Sequence, residues 1–251
     1  MLLENKNAVI YGAGGTVGGA VARAFAKEGA TVHLAGRTPA KLDALAADIR
    51  AAGGRAETAQ VDALDERAVD EHADAVAARA GSLDISFNLI AHGYTHGTPM
   101  AEMSVEDYLE PVITAVRTTF LTTRAAARHM IRQGSGVILA FGGSGDPPRD
   151  YFIGGTQVAF EAIESMRRQL SAELGAHGVR VVTLRTGGVV ESLAADTPGA
   201  EEIAAGIAAS TMLGRPATLE DVGDAAAFAA SDRARSMTAA TINVSCGALV
   251  D

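Results

Sequence analysis

This chain has little cysteine, no long apolar stretch and no basic cluster, and each of these absences excludes a class of protein. Its 251 residues include one cysteine, Cys246, which excludes an internal disulfide bond and a cysteine-rich metal site. No apolar stretch is long enough to span a bilayer and no signal-type apolar region opens the chain, so we expect a cytoplasmic protein with no membrane partner. Acidic residues outnumber basic ones, the net charge is −9, and no basic cluster occurs along the chain, which argues against a nucleic-acid partner.

Two hydrophobic periodicities alternate from one end of the chain to the other. Short apolar runs typical of buried strands are each followed by apolar residues at helical spacing. This alternation predicts an α/β fold, a Rossmann-type doubly wound parallel sheet of about seven strands with helices on both faces, formed by residues 1–251 as one domain. The predicted strands cover residues 8–11, 30–35, a segment ending at 61–62, 83–91, 136–141, 178–184 and 241–244.

A glycine-rich stretch near the N-terminus organises the chain. The apolar run 8–11 is followed at once by glycines, and Val21, Ala24 and Phe25 then recur at helical spacing. A strand, a glycine turn and a helix in this order let the backbone approach a pyrophosphate, which the free amides and the dipole of the helix N-terminus attract. The alternative is an ordinary tight turn in a chain with 28 glycines. The predicted pyrophosphate site comprises Gly12, Gly14, Gly15, Thr16, Val17 and Gly18.

The residue after the second strand indicates which dinucleotide binds. NAD sites carry an acidic residue here for the ribose hydroxyls, whereas NADP sites carry a cation for the 2′-phosphate. This chain has Arg37 followed by Thr38 and no carboxylate, which favours NADP(H) over NAD(H); a solvated arginine is the alternative. Asp62 and the adjacent Ala63 are also assigned to the cofactor site, with Asp62 as an acceptor for the adenine amino group.

These motifs resemble those of the short-chain dehydrogenase/reductase family over nearly the full length of the chain. The glycine turn is similar to the family's T-G-x-x-x-G-x-G, residues 83–91 resemble its L-D-I-L-V-N-N-A-G, and residues 243–247 resemble its C-terminal signature. The resemblance implies a small-molecule substrate and a homo-oligomer, usually a tetramer. It also assigns further residues to the cofactor site, namely Asn88, Ala91, Thr186, Gly187 and Ser192.

The family's catalytic pair is missing from this sequence. Family members use a tyrosine as acid and base and a lysine four residues later. An ungapped comparison from the following helix places Thr156 at the tyrosine position and Phe160 at the lysine position. No gap restores the lysine, because all lysines of the chain lie at positions 6, 27 and 41. The chain therefore resembles a divergent member without the Tyr-x-x-x-Lys pair.

Two long loops contain the candidate replacements. Loops 142–155 and 185–213 follow predicted strands and are long enough to form a substrate wall and a lid. Ser144 and Tyr151 lie in the first loop and are the candidate catalytic residues, although a tyrosine pKa near 10 makes a poor base at neutral pH. His92 follows the fourth strand, and a histidine there is expected to have the right pKa for proton transfer. For each of them, a solvated loop residue is the alternative.

The sequence leaves three functions open. The first is an NADP(H)-dependent oxidoreductase that acts on a carbonyl- or hydroxyl-type small molecule with a non-standard proton-transfer group. The second is a non-redox enzyme on the same fold, such as an isomerase, dehydratase or cyclase. The third is a nucleotide-binding protein without catalysis. No metal site is predicted. Outside these sites, His33 lies in a predicted buried strand, where the alternation of side chains places it in the core. It is interpreted as a core histidine with satisfied hydrogen bonds.

Overall fold

The computed structural model describes residues 1–93, 97–142, 152–193 and 199–250. Its centre is a seven-stranded sheet with the order β3-β2-β1-β4-β5-β6-β7, and every neighbouring pair is parallel. The predicted doubly wound parallel sheet is confirmed. The strands are β1 (Asn7–Tyr11), β2 (Thr31–Gly36), β3 (Arg55–Gln60), β4 (Ile85–Asn88), β5 (Gly136–Gly142), β6 (Val179–Arg185) and β7 (Ala240–Asn243).

Helices follow the strands, and polar residues define where several of them begin. The Asp65 carboxylate accepts hydrogen bonds from two amides in the first turn of α3. Thr218 and Asp221 form a capping box at the start of α7. The helices are α1 (Thr16–Lys27), α2 (Pro39–Ala51), α3 (Glu66–Ala80), α4 (Val105–Gln133), α5 (Thr156–Leu174), α6 (Ala200–Ser210) and α7 (Leu219–Ala230).

The sheet separates two apolar layers, because successive side chains of a strand point to opposite faces. In β1, Ala8 and Ile10 pack in the layer that contains α1, α2 and α7. Val9 and Tyr11 pack in the other layer, which contains α3, α4 and the end of α5. Helices thus cover both faces, as expected for a parallel sheet.

One strand is shorter than the sequence predicts. The apolar segment 83–91 contributes only Ile85–Asn88 to the sheet. Before it, the Asp84 carboxylate accepts a hydrogen bond from the Asn7 amide at 2.8 Å. After it, the Asn88 side chain accepts one from the Ile90 amide at 3.0 Å, and this local bond turns the backbone out of the strand. In the described part of the chain, none of the helices combines the length and the apolar character that a bilayer crossing requires.

Candidate active site

The glycine turn between β1 and α1 is packed backbone against backbone. Gly12 has φ +79°, and a Cβ there would overlap the carbonyl oxygen of Leu89 in the segment that leaves β4. A Cβ at Gly18, in the first turn of α1, would overlap the carbonyl oxygen of Gly12. The amides of Gly12 and Ala13 donate to the Ala35 carbonyl at the end of β2, at 2.9 and 3.3 Å. The turn therefore depends on glycine at two positions.

Helix α1 begins without a side-chain cap. Gly15 is the N-cap residue, and the first turn contains no acidic residue. Within the described residues, the amides of Thr16, Val17 and Gly18 have no hydrogen-bond acceptor, and the first helical bond runs from the Gly19 amide to the Gly15 carbonyl at 2.8 Å. Free amides at a helix N-terminus fit the pyrophosphate of a dinucleotide, and the preceding glycines have no side chains that would keep the pyrophosphate away from them.

Arg37 lies where β2 leads into α2. It is exposed, and in the part of the chain that the structure describes its guanidinium has neither an ion pair nor a hydrogen bond. Only its backbone is held, because Gln60 Nε2 donates to the Arg37 carbonyl at 3.3 Å. Thr38 is the N-cap residue of α2, and its hydroxyl makes no capping bond. Both side chains are thus available to a ligand beside the glycine turn.

Asp62 and Ala63 follow β3 and differ in exposure. Ala63 is buried in the layer below α3, whereas Asp62 is exposed and its carboxylate accepts a hydrogen bond from the Leu64 amide at 3.0 Å. The Asp62 side chain therefore faces solvent at the same edge of the sheet as Arg37.

Asn88 is anchored beneath the same edge. It is 7% exposed, and its Nδ2 donates to the hydroxyls of Thr118 and Thr119 on α4, at 3.1 and 3.3 Å. These bonds fix the end of β4 beside the glycine turn. Ala91, three residues later, is exposed. The arrangement leaves backbone and small side chains next to the turn rather than bulky groups.

His92 differs from its sequence-based expectation. The ring is 7% exposed, packs edge-on against Phe160 of α5 with 6.2 Å between the ring centroids, and leaves Nδ1 buried without a partner among the described residues. Burial lowers the pKa of His92 to about 4. The imidazole is therefore neutral at neutral pH, and the expectation of an ordinary histidine pKa suited to proton transfer is wrong.

The positions expected for the family's tyrosine and lysine lie at the start of α5. Thr156 is 3% exposed, and its hydroxyl has no partner within the described segments. Phe160 is half-buried against His92. The two candidate catalytic residues, Ser144 and Tyr151, lie outside the described residues.

The segment after β6 is attached to both of its neighbours. The Thr186 amide donates to the Gly142 carbonyl at the end of β5, at 3.4 Å. A Cβ at Gly187 would lie 2.6 Å from the Ala248 Cβ, so the chain passes closely under the C-terminal segment. Ser192 is exposed, and its hydroxyl donates to the Val189 carbonyl at 2.7 Å.

All these positions meet at one edge because the strands are parallel. Gly12, Arg37 and Thr186 directly follow β1, β2 and β6, and Asn88 is the last residue of β4. The strand order changes direction between β1 and β4, and ligands of such sheets bind at this point.

A buried ion pair connects α5 to the sheet, and no sequence pattern indicates it. Glu164 and Arg167 of α5 are each 6% exposed; Arg167 donates to Glu164 Oε2 through Nε and Nη2 at 3.1 and 2.8 Å. Thr241 of β7 donates to the same oxygen at 3.1 Å. Burial raises the pKa of the Glu164 carboxyl, but hydrogen bonds from Arg167, Thr183 and Thr241, together with the charge of Arg167, lower it more, so the net pKa is below the ordinary value. The pair attaches α5 to the sheet.

Comparison with known proteins agrees with this geometry. A family model described as enoyl-(acyl carrier protein) reductase matches residues 12–248. The chain is 33% identical over 250 residues to an uncharacterized oxidoreductase of Methylorubrum extorquens, and the alignment covers 98% of each chain. It is 30% identical over 251 residues to an A-factor type gamma-butyrolactone 1′-reductase (1S-forming) of Streptomyces virginiae, with 98% of this chain and 96% of the relative covered.

A solved structure gives the same result. The short-chain type dehydrogenase/reductase from Mycobacterium ulcerans superposes with a TM-score of 0.88 at 27% identity, over 99% of this chain and 91% of the other. The chain belongs to the short-chain dehydrogenase/reductase family, a family of oxidoreductases that use nicotinamide cofactors.

Proposed function

We propose that the protein is an NADP(H)-dependent oxidoreductase acting on a carbonyl- or hydroxyl-type small molecule. The observation that carries the proposal is the Arg37 guanidinium beside the glycine turn: neither it nor the amides of Thr16, Val17 and Gly18 have a partner among residues 1–93, 97–142, 152–193 and 199–250. The relative from Streptomyces virginiae is named a reductase, which supports a substrate of this type. Residues 1–251 act as one cytoplasmic dinucleotide-binding domain in this proposal, with loops 142–155 and 185–213 on the substrate side.

In this proposal four groups of residues bind and orient the cofactor. The free amides of the glycine turn hold the pyrophosphate, and Arg37 with Thr38 holds the 2′-phosphate. Asp62 and Ala63 lie beside the adenine. When bound, the cofactor supplies or accepts hydride. The nicotinamide end is placed by residues after β4 and β6, namely Asn88, Ala91, Thr186, Gly187 and Ser192.

The cofactor preference gives a sharp test at Arg37. We expect the protein to bind NADPH more tightly than NADH, and Arg37→Ala to reduce this preference by about 10- to 100-fold, because one charged contact to the phosphate is lost. The measurement is a fluorescence titration with each cofactor, which benefits from the absence of tryptophan. Arg23→Ala is the matched control, since Arg23 is exposed and paired with Asp48 at 3.1 Å. A wild-type preference for NADH, or an unchanged ratio in Arg37→Ala, would contradict the proposal.

Proton transfer is assigned to the loop after β5. Tyr151 is proposed as the proton donor and Ser144 as the group that polarises the carbonyl. We expect Tyr151→Phe to reduce kcat by about 100-fold or more without weakening NADPH binding, since general acid catalysis contributes factors of this size. Single-turnover oxidation of NADPH with a panel of aldehydes, ketones and enones measures it. An unchanged kcat in Tyr151→Phe would exclude this tyrosine as the donor.

A non-redox reaction on the same fold is the second candidate. It is favoured by Thr156 and Phe160, which stand where family members have the tyrosine and lysine. The same substrate panel separates the two functions. Product formed with no change in cofactor absorbance would support an isomerase, dehydratase or cyclase. Nucleotide binding with no turnover of any substrate would support a protein without catalysis.

A homo-oligomer is part of the proposal. Helix α4 leaves Leu109, Ile113 and Phe120 exposed by 39%, 55% and 50%, on one helical face. Val158 on the neighbouring α5 is 43% exposed. An apolar stripe on two adjacent helices suits burial against a second copy of this chain. Light scattering of the purified protein gives its mass in solution.

A further inference from the structure

A second cavity lies at the opposite edge of the sheet from the candidate active site. It has a volume of about 560 Å³ and is lined by the first residues of β1, β2 and β3, which are Asn7, Thr31 and Arg55. The amino ends of parallel strands lie away from the nucleotide edge, so this cavity belongs to neither the glycine turn nor the substrate loops. We call it the arginine pocket, because its wall also includes Arg50 of α2 and Arg79 of α3.

Two arginines of the pocket are held in place by neutral acceptors. Arg50 donates through Nε and Nη2 to the Ala56 carbonyl, at 3.1 and 2.6 Å. Arg55 donates to the Thr31 hydroxyl at 3.0 Å and to the Gly29 carbonyl at 2.7 Å. Neither forms an ion pair with an acidic side chain of the described residues. Their guanidinium groups are therefore oriented, while their charges are not neutralised by the protein.

The third arginine shares the single carboxylate of the pocket wall. Arg79 Nη2 lies 3.3 Å from Glu57 Oε2, and His33 Nδ1 lies 3.5 Å from the same oxygen. Three guanidinium groups thus line one cavity with one carboxylate, in a chain whose net charge is −9. Like charges gathered without counter-charges repel each other, and this repulsion is relieved when an anion binds.

His33 supplies an independent observation that points to a ligand. Its side chain is 2% exposed and lines the pocket. Nδ1 lies 3.5 Å from Glu57 Oε2, at the outer limit of a hydrogen bond, and Nε2 has no hydrogen-bond partner in the described part of the chain. The ring lies in the core as expected, but the expectation that its hydrogen bonds are satisfied is wrong at Nε2. Burial lowers the pKa of His33, and the neighbouring Glu57 carboxylate opposes this shift. A buried polar nitrogen without a partner is unfavourable unless a ligand or water supplies one.

We propose that the arginine pocket binds a small molecule with oxyanion groups, either phosphate or carboxylate. Guanidinium groups bind both kinds of oxyanion through paired N–H bonds. The cavity has the size of ordinary small-molecule sites and exceeds what a single inorganic ion needs. The site lies at the amino ends of the strands and is separate from nucleotide binding.

Titration calorimetry at constant ionic strength tests the proposal, with pyrophosphate and citrate as probes for the two oxyanion classes. We expect saturable binding of at least one probe, weakened about 10-fold or more in Arg55→Ala and partly retained in Arg55→Lys, which keeps the charge but loses the fork. Arg67→Ala is the control for charge alone, because Arg67 is exposed and paired with Glu71 at 2.7 Å on the outside of α3. Thermal unfolding of each variant shows that it is folded.

Three results would overturn the proposal. The first is no saturable binding of either probe. The second is equal weakening in Arg67→Ala and Arg55→Ala, which means unspecific charge attraction. The third is binding that Arg37→Ala abolishes and Arg55→Ala leaves intact, which locates the anion at the glycine turn. Failure of NADPH binding leaves the arginine-pocket test unaffected, because the two sites share no residue.

Discussion

Arg167→Met is expected to lower the free energy of unfolding by about 3–5 kcal/mol, because it leaves the Glu164 carboxylate buried without its cation. The Thr241 hydroxyl, which donates to the same oxygen, is neutral and cannot replace a guanidinium that donates twice. Urea denaturation at neutral pH measures the change. Arg168→Met is the matched control; Arg168 is the next residue of α5 and is exposed, so its replacement should change stability by less than about 0.5 kcal/mol.

The pH dependence of stability tests the same ion pair with a defined sign. The folded-state pKa of Glu164 is below its ordinary value, so its contribution to stability is present above the unfolded-state pKa and is lost as the pH falls through the folded-state pKa. The double variant Glu164→Leu/Arg167→Met has no such group. We expect it to be close to wild type in stability at neutral pH and to lose less stability on acidification. Equal stabilities of Arg167→Met and Arg168→Met would show that the pair contributes nothing.

Gly18→Ala is expected to lower the free energy of unfolding by about 3 kcal/mol and NADPH affinity by at least about 100-fold. The added Cβ would overlap the Gly12 carbonyl oxygen, and backbone cannot move aside as a flexible side chain can. Gly206→Ala in α6 is the matched control, since nothing lies within 4 Å of a Cβ there. It should raise stability by up to about 1 kcal/mol, because alanine favours a helix more than glycine does. Equal effects of the two substitutions in denaturation experiments would disprove the steric argument.

The structure can be predicted best from the sequence where the residues that define an element are neighbours in the chain. The β1–α1 unit could be predicted because an apolar run, glycines and helical spacing follow each other directly, and each is a local requirement. The cap residues Asp65 and Thr218 could be predicted for the same reason. The positions of Arg37 and Asn88 at one edge followed from the parallel sheet, since alternating strands and helices allow few other arrangements.

The sequence is least informative where burial depends on distant elements. His92 looks like a loop residue beside Gly93, yet it packs against Phe160 of another element, and burial lowers its pKa. Glu164 and Arg167 read as ordinary surface charges of an amphipathic helix, and only the position of β7 shows that they are buried. The sequence around His92 and the sequence of α5 do not by themselves show that these side chains are buried.

The arginine pocket also could not be predicted from the sequence, because its residues come from several elements. A search along the chain finds no basic cluster, because Arg50, Arg55 and Arg79 lie on α2, β3 and α3. The fold brings them to one cavity at the amino ends of the strands. Charge patterns in sequence thus exclude a long basic surface, but they do not exclude a compact site built from several elements.

The central position of β1 has a consequence for the order in which the chain acquires structure during synthesis. Strand β1 lies between β2 and β4, and Asn7 and Asp84, 77 positions apart, are hydrogen-bonded. During synthesis β1 therefore keeps one unpaired edge until β4 has been made, while β2 and β3 add to its other side. Non-local parallel pairing of this kind is slow, and an exposed strand edge invites aggregation. The edge of β1 that pairs with β4 is thus open to incorrect association until residues 85–88 have been made.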